Sequence, residues 1–148
     1  MKDLKKSYLG LKLIATAPAL LIKERLTFLC EHGPKDFEHL EKVHSARAIH
    51  LRLALLMMKP EHRNKITVVA IAPAAYITND LCKKAYNYVS RKDFVHHLQH
   101  LCSPISTKDV NLIVLDAHPQ ASKVFDHAVL SPTFKIHIKN HIDRFIEE

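Results

Sequence analysis

The stretch Ile66-Thr67-Val68-Val69-Ala70-Ile71-Ala72 decides the fold. It is apolar and rich in β-branched side chains, and Pro73 follows it directly. A strand with one solvated face alternates apolar and polar residues, whereas a strand covered on both faces is apolar throughout. The stretch therefore predicts a strand buried inside a parallel sheet.

The segments on either side alternate between helical and extended patterns. Before the central strand, we predict a helix from Ala19 to His32, which Thr16-Ala17-Pro18 starts and Gly33-Pro34 ends, and a helix from Ala46 to Met58 that ends near Pro60. After it, we predict strands from Ala85 to Ser90 and from Val110 to Leu115, with a helix between them that begins at Asp93 and runs through Leu101. A loop from Asp116 to Ser131 and a closing helix from Thr133 to Glu148 complete the chain. This order predicts a single α/β domain over residues 1–148, with a small open, mainly parallel sheet flanked by helices.

The composition excludes some classes of protein. Of the 148 residues, 47% are hydrophobic and 25% are charged, as in ordinary globular chains. Gly10 and Gly33 are the two glycines of the sequence, so the glycine-rich loops that bind nucleotides are excluded. Cys30, Cys82 and Cys102 are odd in number and widely spaced, which predicts reduced thiols and a cytoplasmic location.

The formal net charge of +7 comes from lysines and arginines that are scattered along the chain. The sequence has no Trp and no nucleic-acid-binding motif, so the pattern favours a solvated basic face over a nucleic-acid surface. A basic module that binds an acidic partner is an alternative, and steep salt dependence of binding would reveal it.

The first residues imitate a secretory signal. Lys2, Lys5 and Lys6 precede an apolar stretch, and Ala15-Thr16-Ala17 resembles a cleavage site. Pro18 argues against cleavage there, and the apolar run is too short to span a bilayer. We therefore expect neither a cleaved signal nor a transmembrane segment.

Three side chains with complementary chemistry follow successive predicted elements. Ser45 precedes the Ala46–Met58 helix, Asp93 follows a strand, and His127 lies in the loop after the last strand. Ser, Asp and His in this order form the catalytic set of α/β-hydrolases, in which His takes the serine proton and the carboxylate orients the imidazole. Structural roles are the alternative: Ser45 and Asp93 as helix N-caps, and His127 as a surface histidine, with His118 equally near the strand.

Four blocks carry a resemblance to a known family. They are the segments 43–52 (VHSARAIHLR), 71–77 (IAPAAYI), 88–95 (YVSRKDFV) and 126–133 (DHAVLSPT). Together they resemble a family of uncharacterised chlamydial proteins with an α/β-hydrolase-type C-terminal region. The resemblance covers the chain from Val43 onward and implies the C-terminal half of that fold in a bacterial cytosol. It also implies Ser45 as nucleophile, Asp93 as acid and His127 as base.

The sequence departs from the hydrolase pattern around its nucleophile. The strained turn of the elbow requires small residues two positions before and after the serine, and these positions hold Val43 and Arg47. The 44 residues before Ser45 contain no glycine-rich loop that could supply a second oxyanion donor. We therefore predict a catalytically impaired interaction or remnant domain. The alternative is a serine hydrolase of esterase or thioesterase type.

Partner and metal predictions come from the remaining segments. Lys35 to Val43 is charged, which suits an exposed sheet edge that the N-terminal helix or another chain could cover, so we expect a homodimer or a protein partner. His96 and His100, and likewise His137 and His141, have the i, i+4 spacing of helical metal ligands. Neither pair has the glutamate of a zinc protease motif, so we expect no metal and no cofactor.

Overall fold

The structure is a computed structural model that describes residues 16–95, 109–122 and 125–147. Helices and strands alternate along most of this part of the chain. The elements are α1 (Ala17–His32), β1 (His39–His44), α2 (Arg47–Met57), α3 (Pro60–Arg63), β2 (Ile66–Ile71), β3 (Lys84–Ser90), β4 (Leu112–Leu115) and α4 (Pro132–Glu147).

The strands form one parallel sheet in the order β1-β2-β3-β4, which confirms the predicted α/β class. Val43 pairs with Ala70, Ala70 with Asn87, and Asn87 with Leu112, so the register runs straight across the sheet. Because all four strands point the same way, their carboxyl ends lie along one edge of the sheet.

The predicted central strand is buried on both faces. Val68 and Ala70 contact the core under α1 and α2, whereas Val69 and Ile71 contact the opposite core, which Phe134 of α4 fills. Successive side chains of a strand point to opposite faces, so an apolar stretch without alternation supplies both cores at once. The sheet is thus a middle layer with α1 and α2 on one face and α4 on the other.

The charged segment after α1 forms β1, an outer strand of the sheet as predicted. Glu41 of β1 accepts hydrogen bonds from Arg25 of α1 at 2.7 Å and pairs with His39 at 2.8 Å. Although burial acts to raise it, the bonds from His39 and Arg25 hold the pKa of Glu41 below its ordinary value. These charges attach α1 to the strand.

The first helix begins and ends close to the predicted residues. It begins at Ala17, two residues before the predicted start, and Thr16 caps it by accepting a hydrogen bond from the Ala19 amide at 3.4 Å. Gly33 follows its last turn with an ordinary φ of −71°. Its role is steric, because a Cβ there would lie 2.6 Å from Cγ of Phe37.

The remaining segments agree with the predictions in part. The last strand is shorter than predicted, and the helix expected after Asp93 lies largely outside the described ranges, as do Cys102, His96 and His100. Cys30 and Cys82 are free thiols, as expected, and both are buried. Between residues 16 and 147, no helix that the structure describes is long and apolar enough to cross a membrane.

Asn87 holds the long β2–β3 connection against the middle of the sheet. Its side chain is fully buried, accepts a hydrogen bond from the Ile77 amide and donates one to the Ile77 carbonyl, both at 2.9 Å. It also donates to the carbonyl of Asn111 at 3.3 Å. One amide group therefore pairs the backbone N–H and C=O of Ile77, which would otherwise lack these partners on burial, and adds a second bond to the Asn111 carbonyl, which also accepts from the Asn87 backbone amide at 3.0 Å.

We expect Asn87→Ala to lower the free energy of unfolding by about 3 kcal/mol, because it leaves buried backbone groups of Ile77 without partners. Urea denaturation followed by circular dichroism measures this. Asn64→Ala is the matched control, since Asn64 is exposed, and should change stability by less than about 0.5 kcal/mol. Equal stability of the Asn87→Ala protein and the wild type would contradict this role of the amide.

Candidate active site

Ser45 lies on the sharp turn between β1 and α2. Its φ is 52°, in the left-handed region that non-glycine residues rarely adopt. The Ser45 amide donates to the Ile71 carbonyl at 3.2 Å, and the Ser45 carbonyl accepts from the Ala74 amide at 3.0 Å. Backbone strain of about 1–3 kcal/mol is held by such contacts and is concentrated at functional sites.

The alternative role of Ser45 as a helix N-cap is wrong. The residue at the cap position of α2 is Ala46, in a helical conformation and without a side-chain cap bond. The Ser45 side chain instead points toward His127, and its Oγ lies 2.7 Å from Nε2 of that ring. The hydroxyl is therefore available to donate its proton to the imidazole.

His127 joins Ser45 to Asp93. Its Nδ1 lies 3.0 Å from each carboxylate oxygen of Asp93, while its Nε2 contacts Ser45. With Asp93 ionised, the neutral ring carries its proton on Nδ1 and donates it to the carboxylate. Nε2 then has a lone pair that can accept the proton of Ser45. His118, the alternative histidine, is exposed and its Nδ1 accepts from the amide of Gln120 in its own loop.

Asp93 serves the backbone and the imidazole together. It is fully buried just after β3, and Oδ1 accepts a hydrogen bond from the Val95 amide at 2.9 Å. The predicted local capping bond and the contact with His127 are therefore compatible. Burial, together with the Asp93 charge, raises the pKa of nearby Tyr76 to about 12, so this phenol stays protonated at neutral pH.

The loop that carries His127 is fixed by a buried carboxylate at the preceding position. Asp126 accepts hydrogen bonds from the hydroxyls of Ser131 and Thr133, and it is 1% exposed. Although burial acts to raise it, the hydroxyls of Ser131, Thr133 and Ser90 hold the pKa of Asp126 below its ordinary value. Since Ser131 and Thr133 flank the start of α4, this cluster ties the loop to that helix.

Two further rings flank the imidazole. Nε2 of His44 donates to the His127 carbonyl at 2.7 Å, and the two ring centroids are 5.0 Å apart. Phe125 stacks on the His127 ring with centroids 5.2 Å apart and an interplanar angle of 17°. Side chains on both β1 and the loop thus restrict the orientation of His127.

The positions that depart from the hydrolase pattern are accommodated without opening the turn. Val43 of β1 is buried in the core between the sheet and the helices α1 and α2, and the Arg47 side chain is exposed at the first turn of α2. Across the described ranges, the amides of Ala46 and Arg47 donate no hydrogen bond, as is usual for the first residues of a helix. Both amides lie next to Ser45, where an oxyanion would form.

A cleft of about 470 Å³ opens beside Ser45. It is lined by Lys42, Val43, His44, Ser45, Ala46, Arg47 and Val129. The nucleophile candidate therefore faces solvent-accessible space large enough for a small ester, as a catalytic serine requires.

The structure brings together all three residues that the sequence singled out. It adds His44 and Asp126, which sequence reasoning did not identify although both lie next to predicted residues within the quoted blocks. The helical pair His137 and His141 has another environment, since Nε2 of His141 lies 2.5 Å from the Tyr88 hydroxyl. Within the parts of the chain described, no group of three His, Cys, Asp or Glu side chains could hold a metal ion.

We expect Asp126→Asn to lower the free energy of unfolding by about 2 kcal/mol at pH 7, because the amide keeps only one accepting oxygen and accepts more weakly than an ionised carboxylate. The carboxylate has a lowered pKa in the folded state, so it stabilises the fold above its ordinary pKa and stops doing so as the pH falls through the folded value. The difference between wild type and variant should therefore shrink below about pH 4.

Urea denaturation at neutral and acidic pH measures this difference. Asp116→Asn provides the control, because the Asp116 side chain is 88% exposed and pairs with exposed Arg91. It should leave stability almost unchanged at every pH. A destabilisation by Asp126→Asn that is equal at all pH values would show that the charge of the carboxylate is irrelevant.

Comparison with known proteins gave no family model, no curated protein and no solved structure that matches this chain. Its function is therefore inferred from its own side chains and their geometry.

Proposed function

We propose that the chain is a serine hydrolase that cleaves an ester or thioester through an acyl-Ser45 intermediate. The observation that carries the proposal is the continuous set of contacts from Ser45 Oγ to His127 Nε2 at 2.7 Å and from His127 Nδ1 to buried Asp93 at 3.0 Å. A nucleophile, a base within hydrogen-bond reach and an orienting carboxylate are the three parts that activation of serine requires.

The chemistry follows from these contacts. Ser45 Oγ attacks the carbonyl carbon while its proton passes to Nε2 of His127, and a tetrahedral oxyanion forms. Collapse breaks the bond to the leaving oxygen or sulfur, which takes the proton from Nε2 and departs as an alcohol or thiol. Water then attacks the acyl group, gives one proton to His127 and releases the acid as that proton returns to Ser45.

Asp93 stabilises the imidazolium that forms in each of these steps. It is fully buried, so little solvent screens its charge, and both of its oxygens lie 3.0 Å from Nδ1. Asp126 and His44 act as positioning residues, since they hold the backbone around His127 rather than the reacting atoms. Removal of either side chain should therefore lower the activity less than removal of Ser45, Asp93 or His127.

The oxyanion site sets the expected rate. The amide of Ala46 follows the nucleophile directly and is available to the oxyanion, with the Arg47 amide beside it at the positive end of α2. The second donor that hydrolases take from an earlier strand-to-helix loop has no counterpart among the described residues, in which α1 precedes β1. Loss of one donor costs about 10²–10³ in rate, so we expect a slow enzyme.

The topology agrees with the C-terminal half of an α/β-hydrolase sheet, the finer fold that we propose. Ser45 follows β1, Asp93 follows β3 and His127 follows β4, so each side chain comes after the carboxyl end of a parallel strand. Reactive groups of open parallel sheets gather along this edge. The order Ser, Asp, His also matches that fold.

A binding or remnant domain of impaired activity is the second candidate. Arg47 at an elbow position and the outer edge of β1, which pairs with no other strand in the described ranges, favour it. An unpaired strand edge is a template for another chain, so a homodimer or protein partner belongs to this candidate. The buried, free thiols of Cys30 and Cys82 suit a reducing compartment, and the cytoplasm is the location we propose.

A fluorophosphonate probe distinguishes the two candidates, because it labels only a serine that a neighbouring base activates. We expect the intact mass of the folded protein to rise by one phosphonyl group, and Ser45→Ala to abolish the increase. His127→Ala should slow labelling by at least about 10²-fold, the usual contribution of a positioned base.

Ser122→Ala is the matched control, since Ser122 is exposed and its Oγ accepts a hydrogen bond from the Phe125 amide. It should be labelled like the wild type. Labelling that persists in Ser45→Ala, or no labelling of a protein with native circular dichroism, would reject the hydrolase and favour the binding domain.

A further inference from the structure

The cleft beside Ser45 is lined by basic side chains. Lys42, His44 and Arg47 contribute to its walls together with Val43, Ala46 and Val129, and no carboxylate of residues 16–95, 109–122 or 125–147 belongs to the lining. Lys42 and Arg47 are exposed and line the same cleft as Ser45. A substrate bound at Ser45 therefore meets positive charge.

Carboxylates of the described residues do not neutralise this charge. Neither Lys42 nor Arg47 forms an ion pair within those ranges. Glu41, the acidic residue next in sequence to Lys42, is occupied by Arg25 and His39. Asp93 lies beyond the His127 ring and is buried, so it does not face the cleft.

The backbone adds to the positive electrostatic potential at the cleft. The amides of Ala46 and Arg47 donate no hydrogen bond to any residue that the structure describes, and they lie at the N-terminus of α2, an eleven-residue helix whose positive end lies at the cleft. One of these amides is needed for the oxyanion, but the guanidinium of Arg47 and the ammonium of Lys42 are not. Two cations beside a nucleophile, with no role in the chemistry, indicate a binding function.

We propose that the substrates of Ser45 are esters or thioesters that carry an anionic group, a carboxylate or a phosphate, and that Arg47 and Lys42 determine this specificity. The inference rests on the proposed hydrolase activity. Arg47 then has a reason to occupy a position where the elbow favours a small residue: its side chain lies outside the turn and binds the anion. The anionic group can belong to the acyl part or to the leaving group.

Two matched pairs of esters test the inference and separate these sources. The first pair has the same leaving group: the para-nitrophenyl monoester of adipic acid, which is anionic, and para-nitrophenyl methyl adipate, which is neutral. The second pair has the same acetyl group: para-acetoxybenzoate and its methyl ester. Each kcat/KM is divided by the hydroxide-catalysed rate of the same ester, so that intrinsic reactivity cancels.

For at least one pair we expect the normalised kcat/KM of the wild type to be about 10-fold higher for the anionic ester than for the neutral one. This ratio should fall when the ionic strength is raised from about 0.01 M to about 1 M. Preference in the first pair assigns the anion to the acyl part, and preference in the second assigns it to the leaving group. Arg47→Gln should reduce the ratio to about 3-fold, and Lys42→Gln combined with it to about 1.

Lys59→Gln is the charge-matched control, because Lys59 is exposed between α2 and α3 and should retain both activity and ratio. Ser45-dependent hydrolysis with ratios near 1 for both pairs would overturn the inference and leave the hydrolase standing. Absence of hydrolysis that depends on Ser45 would overturn both. A preference that survives the double variant would assign specificity to other groups and reject this role of Arg47 and Lys42.

Discussion

The burial of β2 on both faces is the constraint on which the rest of the structure depends. Because β2 is covered by α1 and α2 on one side and by α4 on the other, its neighbours β1 and β3 must pair with it in a fixed parallel register. The turns after β1 and β3 then lie close together at the same edge. The proximity of Ser45 and Asp93 is a consequence of this register rather than of local sequence.

Much of the fold could be predicted because the decisive segments have strong local patterns. The unbroken apolar run of β2, the threonine and proline that start α1 and the charged character of β1 each correspond to one physical requirement. Boundaries were less accurate where tertiary contacts set them. The predicted strand from Val110 is shortened to Leu112–Leu115, since its pairing with β3 begins at Leu112.

The candidate site was only partly accessible to sequence reasoning. Ser45, Asp93 and His127 were identifiable because their order and their places after strands have chemical meaning. The turn at Ser45 was harder to foresee, since a positive φ is usually signalled by glycine, and here hydrogen bonds to Ile71 and Ala74 support a serine. Asp126 and His44 were missed because a buried carboxylate and a ring bonded to a carbonyl act through contacts that spacing does not encode.

The contact between Ser45 and His127 joins residues 82 positions apart, one on the turn after the first strand and the other in the loop after the last. The strands β2, β3 and β4 lie between them along the chain, so the hydroxyl and the imidazole meet only after these strands have paired in the sheet. Contacts of such long sequence separation form late, because the entropy of closing the loop must first be overcome. In the hydrolase that we propose, Ser45 therefore becomes nucleophilic only when the sheet is complete, and the reactivity of this one atom reports on the folding of the whole domain.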